Sequence, residues 1–287
     1  MQTMELLLAL VLVNSSLYEV VSLNFEGSPI SSVRLNTTST HLEKGCFVYN
    51  PDREVYVGLN IYQDASVVVS YDSIGQQVSR FYYSDIIVGN VQYDQVVMSY
   101  YTGQYLMSEQ VNSVWKVNPS DGAIASVTNV NNVVEVCMSS YDQVNGIYFL
   151  ASGRYVLALN TSDDGTYKNI DVGSQVTSMA WCNAIRRLYV WVHSQQDIPG
   201  QVLLEVDYTT REYAQIVSIN RVIPDDGVTT VNCDGSTVYS SMYDLEDGNS
   251  AGNLWVVVNV STKTSIITRL PIGFDVIGLT ITCSLQH

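Results

Sequence analysis

The chain has 287 residues, of which 46% are hydrophobic and only 14% charged, and its formal net charge is −15. That length and apolar content bury a sizeable core and exclude a disordered chain. The excess negative charge repels phosphate backbones and anionic membrane surfaces, so nucleic acid is not an expected partner. The polar surface falls to Ser, Thr, Asn, Gln and Tyr in place of Glu, Lys and Arg, a balance that favours strands and turns over helices.

The first apolar run is Glu5-Leu-Leu-Leu-Ala-Leu-Val-Leu-Val13. It is too short to span a bilayer as a helix. Two readings stand for residues 1–16. Position and composition favour a secretory signal peptide, although no Lys or Arg precedes the run. The alternative is a buried strand. The remainder, 17–287, reads as a single domain.

Next come Leu17–Asn24, a turn at Phe25-Glu-Gly27, and Ile30–Leu35: strand, glycine turn, strand. The same hairpin recurs at Val67–Asp72 with Gly75, at Val114–Asn118 with Gly122, at Tyr155–Asn160 with Gly165, at Val202–Asp207 and at Leu254–Asn259. Its polar anchors, residues 24, 72, 118, 160, 207 and 259, lie 42 to 52 residues apart, a blade-length period. Asn and Asp suit these anchors because their side chains bond nearby backbone, and Gly suits the turn because it tolerates positive φ.

A second hairpin precedes each copy after the first. These run from Cys46 through Asn50 to Val55, from Ile86 through Tyr93 to Val96, from Val133 through Asp142 to Ile147, from Val176 through Asn183 to Leu188, and from Val228 through Asp234 to Val238. Each unit therefore has four strands, A to D, the composition of a propeller blade. The C-terminal run Val276–Cys283 supplies one further A strand. Joined to the hairpin 17–35 it makes a closing blade shared between the two ends of the chain. That blade lacks a B strand unless residues 5–13 provide it. The sequence predicts an all-β fold, a six-bladed β-propeller of four-stranded antiparallel blades.

Repeats of the form apolar-aromatic-x-apolar-Asn/Asp, with companion strands such as Leu188-Tyr-Val-Trp-Val192, resemble the blades of YVTN-type and quinoprotein-like β-propellers. The resemblance spans nearly the whole chain and is one of fold, which hosts many unrelated functions. The Trp-Asp and Gly-His pairs of WD-type blades and the paired glycines of kelch blades are absent from the sequence.

In such a fold the B–C and D–A connections share one face. The long B–C loops are 102–112, 194–200 and 244–252, and the notable D–A connections are 39–45 and 221–226. This face and the channel mouth are the expected binding surface. Its candidate binding residues are Tyr105, Glu109, His193, Asp197, Asp244, Glu246 and Asp247. Tyr105 stands near Tyr100 and Tyr101, where a carbohydrate platform could form; most of the 20 tyrosines read as packing between blades.

No catalytic constellation emerges. The histidines are His41, His193 and His287, and no pair has metal-ligand spacing. His193 reads first as a loop histidine and second as a general base. The acidic loop Asp244–Asn249 alternates oxygen donors with Gly248, but an EF-hand loop needs donors at its fifth and twelfth positions, where Gly248 and Trp255 stand. No cofactor is expected; calcium enters only with the enzyme reading. The cysteines are Cys46, Cys137, Cys182, Cys233 and Cys283, with no CxxC pair. All are read on A strands, which radiate from the channel, so buried reduced thiols are the first reading. Sequons occur at Asn14, Asn36, Asn160 and Asn259, of which Asn36, Asn160 and Asn259 are the glycosylation candidates.

These features point to a non-enzymatic ligand- or protein-binding propeller, secreted and extracellular. It is expected as a monomer that holds a protein or carbohydrate at the loop face, with no transmembrane segment. The alternative is a propeller hydrolase or lyase at the channel mouth, calcium-dependent, and a cytoplasmic location is the alternative to secretion.

Overall fold

The computed structural model describes residues 6–14, 17–37, 42–50, 53–62, 65–83, 87–92, 95–101, 110–118, 121–134, 136–142, 144–161, 167–195, 200–220, 222–244, 253–271 and 274–282. The regular elements among these described residues are all strands. The first hairpins are β1 (Leu6–Asn14), β2 (Leu17–Leu23) and β3 (Pro29–Arg34), then β4 (Leu42–Asn50), β5 (Val55–Tyr62), β6 (Ala65–Asp72) and β7 (Gln77–Tyr83). There follow β8 (Ile87–Gln92), β9 (Gln95–Tyr101), β10 (Gln110–Val117) and β11 (Ile124–Val134), and β12 (Val136–Asp142), β13 (Ile147–Ser152), β14 (Tyr155–Asn160) and β15 (Tyr167–Asp171). The last are β16 (Val176–Cys182), β17 (Arg187–His193), β18 (Gly200–Asp207), β19 (Glu212–Asn220), β20 (Val222–Val231), β21 (Thr237–Asp244), β22 (Asn253–Asn259), β23 (Thr264–Arg269) and β24 (Asp275–Thr282).

The turn anchors act as their chemistry requires. Asp72 Oδ1 accepts the backbone N–H groups of Ile74 (3.1 Å) and Gln76 (2.7 Å). Asn24 Oδ1 accepts those of Glu26 (3.1 Å) and Ser28 (2.8 Å), and Asp207 Oδ1 accepts that of Thr209 (2.8 Å). A short side-chain oxygen thus satisfies the donors that the turn leaves unpaired. Gly75 sits at φ 82°, and a Cβ there would collide with the Arg34 carbonyl. Glycine is required at that position both for its dihedral and for the close approach.

The strands order as four-stranded antiparallel sheets. One sheet joins the two ends of the chain in the order β24-β1-β2-β3. Strand β1 pairs with β24 on one side (Leu7 opposite Ile281) and with β2 on the other (Leu7 opposite Leu23). The run of leucines and valines is uninterrupted because both faces of this strand are covered. Leu7, Ala9 and Val11 enter a core with Trp255, Tyr239 and Val276. Leu8 and Leu10 enter another with Tyr18, Phe47 and Tyr71.

Four such cores join neighbouring sheets. One lies between β12–β15 and β16–β19 around Phe149, Trp181 and Tyr208. The next lies between β16–β19 and β20–β23 around Trp191, Val238 and Val256. The third links β20–β23 to the sheet containing β1, and the fourth links that sheet to β4–β7.

The expected count of six blades is corrected by this packing. Among the described residues four cores in series join five sheets, a propeller of five packed blades. The strands β8–β11 also order as a four-stranded sheet, but the side chains of those strands lie outside the described residues. Hairpin repeats count turns, whereas a blade is defined by the apolar faces it buries against its neighbours. No helix among the described residues is long and apolar enough to cross a membrane.

Polar side chains also tie blades together. Tyr189 donates its hydroxyl to the Gly235 carbonyl of the next sheet at 2.8 Å. Trp191 Nε1 donates to Ser240 Oγ at 2.8 Å, and Ser240 continues through Thr229 (3.0 Å) to Ser178 (2.6 Å), back in the first sheet. Each of these inter-blade polar atoms has a partner, which is the condition for burying it.

The cysteines divide. Cys182 is a free, buried thiol, as expected, and burial pushes its pKa up. Cys233 is disulfide-bonded, contrary to the reduced state expected for all five. Cys233 lies past the end of β20, not on the strand.

Candidate functional site

On one face of the sheets the first strand begins, the second ends, the third begins and the fourth ends. This loop face collects the best-built polar cluster in the described residues, centred on the sheet β16–β19. His193 closes β17 and Gly200 opens β18. Their connection is pinned at its base, where the Ser194 N–H donates to the Gly200 carbonyl at 2.9 Å. The His193 N–H donates to Gln175 O at 3.0 Å, which holds the strand end against the connection leading into β16.

Beneath His193 lies Gln201, fully buried at the start of β18. Its amide is held on three sides. Thr177 Oγ1, on β16, lies 2.8 Å from Gln201 Oε1. Gln201 Nε2 is 2.9 Å from the Gly200 carbonyl and 3.2 Å from His193 Nδ1. Burial holds the His193 pKa below the usual imidazole range, because the charged ring would be poorly solvated there.

The adjacent connection, 172–175, links this group to the preceding blade. Gln195 Nε2 donates to the Gly173 carbonyl at 2.6 Å, and the Gly173 N–H donates to Asp171 Oδ1 at 2.9 Å. The other oxygen of Asp171 is ion-paired with Arg154. The Arg154 hydrogen bond, aided by the Gly173 N–H, holds the Asp171 carboxyl below the usual carboxylate range. The Arg154 guanidinium lies over the ring of Tyr155, 5.3 Å from its centroid.

Asp244 ends β21 on the same face, one blade on, where it is ion-paired with Arg269 at the end of β23. Beside it Tyr243 OH contacts Asp275 Oδ1 at 3.5 Å. Of the seven residues predicted for this surface, His193 and Asp244 are described and lie on neighbouring blades. Tyr105, Glu109, Asp197, Glu246 and Asp247 lie outside the described residues, as does the rest of the acidic loop after Asp244. Among the described residues no three His, Cys, Asp or Glu side chains are placed to hold a metal ion together.

Sequence reasoning did not single out Gln201, Thr177, Gln195, Arg154 or Asp171. One signal was present: Gln201 is the lone amide at the head of the apolar strand Val202–Leu204, a position where a polar side chain needs a built partner. Of the glycosylation candidates, Asn36 and Asn259 are exposed and Asn160 is half-buried. Asn259 Oδ1 accepts the Ser261 hydroxyl of its own sequon at 2.9 Å.

No protein-family model matches the chain, and no curated protein sequence matches it. Solved structures do. A chain of a nidogen/laminin complex has a TM-score of 0.68 at 8% identity, covering 98% of this chain and 99% of its own. Hydrazine synthase of Kuenenia stuttgartiensis has a TM-score of 0.57 at 10% identity over 83% of this chain and 69% of that one. A functionally unknown protein from Desulfotomaculum acetoxidans DSM 771 has a TM-score of 0.58 at 9% identity, over 96% and 88%. A complex of two proteins, an enzyme and an uncharacterised protein share the architecture, so the likeness carries fold and not activity. On its blades, its cores and these likenesses, the chain is a β-propeller.

Proposed function

We propose that the chain is a non-enzymatic binding propeller that holds a protein partner on its loop face and works outside the cell. The observation that carries this reading is the state of the described loop face. Its carboxylates at Asp171 and Asp244 are neutralised by Arg154 and Arg269, and its amides are tied to backbone carbonyls at Gly173 and Gly200. Side chains held this way keep their geometry when a partner arrives, and association then costs less ordering entropy. An acid or base poised for proton transfer needs the opposite arrangement, an ionisable group with room to change state.

Two further observations support the reading. The likeness to a chain of the nidogen/laminin complex runs nearly the full length of both chains, and the shared fold is compatible with a protein-binding module. The disulfide at Cys233 suits an oxidising compartment.

Site-directed photo-cross-linking tests the proposal. A photoreactive residue at exposed Gln195 reports the loop face, and one at exposed Ile185 reports the opposite face. Incubated with extracellular protein from the source of the chain, the Gln195 probe is expected to give one discrete protein adduct and the Ile185 probe none. Adducts from Ile185 alone, or from neither position, overturn it.

A further inference from the structure

The amide of Gln201 has only one orientation compatible with its neighbours. The Gly200 carbonyl can only accept, so the group facing it at 2.9 Å must be the Nε2 amino group. The reversed amide would set two acceptor oxygens against each other and turn the amino group toward the Thr177 hydroxyl, which now satisfies Oε1 at 2.8 Å. The same amino group is 3.2 Å from His193 Nδ1. An amino group cannot accept, so Nδ1 must present its lone pair, and the ring proton resides on Nε2. A main-chain carbonyl thereby dictates, through one buried amide, the tautomer of a half-buried histidine.

Resting on the loop-face reading above, we infer that His193 is a fixed hydrogen-bond donor of that face, an Nε2–H that takes an oxygen acceptor of the bound protein, a backbone carbonyl or a carboxylate. Among the described residues nothing accepts from this N–H. The lone pair that a general base would use is already engaged by Gln201, which accounts for why a histidine on a propeller face serves recognition here. Thr177 and Gln201 are positioning residues: they reach the partner only through His193.

Nitrogen-15 correlation spectroscopy of the intact, histidine-labelled protein near neutral pH reads the tautomer directly. His193 is expected to show the neutral Nε2–H pattern. Replacement Gln201→Glu, which offers Nδ1 an acceptor, is expected to shift the signal to an Nδ1-protonated or doubly protonated ring; Gln201→Leu, which keeps the site uncharged if the glutamate does not fold, is expected to give a tautomer mixture. Titration with acetate and with N-methylacetamide then distinguishes a carboxylate from a carbonyl as the preferred acceptor, by a saturable change at His193 Nε2 that exceeds the change at His41 and His287. An Nδ1–H or doubly protonated pattern in the unaltered protein overturns the inference, and so does indifference of His193 to both probes. Failure of the cross-linking at Gln195 leaves the tautomer pattern where it is, so the two readings fail separately.

Discussion

At the scale of single residues, hydrogen bonding and burial fix the state of several groups. Asp234 is held below the usual carboxylate range by hydrogen bonds from the Ser236 hydroxyl and the Ser236 N–H, the latter at 2.8 Å. A carboxyl with a depressed folded-state pKa contributes stability that is present above the unfolded value of about 3.9 and is lost as pH falls through the folded value. The melting temperature of Asp234→Asn should therefore lie below that of the parent protein at neutral pH and converge with it at strongly acidic pH, as scanning calorimetry across pH would show. Cys182 and Cys233 differ in a way that peptide mapping can read. In the native, unreduced protein Cys182 should resist iodoacetamide, because its thiol is buried and its pKa raised, and Cys233 should become alkylated only after reduction. Only part of this was legible in the chain: the buried thiol of Cys182 was expected, the disulfide at Cys233 was not. The sequence reading puts all five cysteines on inner strands, whereas Cys233 lies past the end of β20, and pairing depends on position in space. Gln201 reads as one more polar residue near a loop until the Gly200 carbonyl and His193 are seen beside it.

At the scale of the element, the turns were legible, but the residue that takes positive φ was legible only where it is glycine. Gly27, Gly75 and Gly122 adopt positive φ in the hairpins that gave the repeat its period. Arg186, Arg211 and Lys263 adopt it too, at φ 55°, 65° and 56°, and no charged residue announces a left-handed turn. A side chain in that region costs about 1–2 kcal/mol relative to the right-handed one. Arg211→Gly should thus raise stability by about 0.5–1 kcal/mol in urea denaturation, the gain being offset in part by the flexibility of glycine when unfolded. Gly75→Ala should lower it by about 2 kcal/mol or more, since the new Cβ meets both an unfavourable dihedral and the Arg34 carbonyl. The outer strands carry a different liability. Strand β23 presents exposed Ile266 and Ile267, and it pairs with β22 without a bulge. No charge or proline interrupts it between Lys263 and Arg269, whereas β3 begins at Pro29, β7 holds Arg80 and β15 holds Lys168. A regular uncharged edge pairs readily with another chain. Ile267→Lys should slow heat-induced aggregation, followed by light scattering, and leave the melting temperature within about 1 kcal/mol equivalent of the parent.

At the scale of the whole molecule, the sheet that joins the chain ends decides how the propeller is completed. Leu10 is fully buried in the core shared by that sheet and the blade β4–β7. Leu10→Ala should cost about 2–4 kcal/mol by the loss of transfer free energy and the cavity left behind; a protein processed to remove residues 1–16 would be indifferent to the substitution, so denaturation of the secreted product together with its N-terminal mass distinguishes the two readings of that segment. The architecture was legible because a four-stranded unit repeats its turn chemistry at a steady interval. The number of packed blades was not, because burial between neighbouring sheets leaves no periodic mark that a turn count can see. The pairing of Leu7 with Ile281 has a consequence for biosynthesis. Translation proceeds at about 5–20 residues per second, so β1 emerges roughly 15 s to a minute before its second neighbour exists. Throughout that interval one flank of the most apolar strand in the chain has no native partner. The full pairing of β1 is therefore completed only after residue 282 has been made, so this sheet closes late in synthesis.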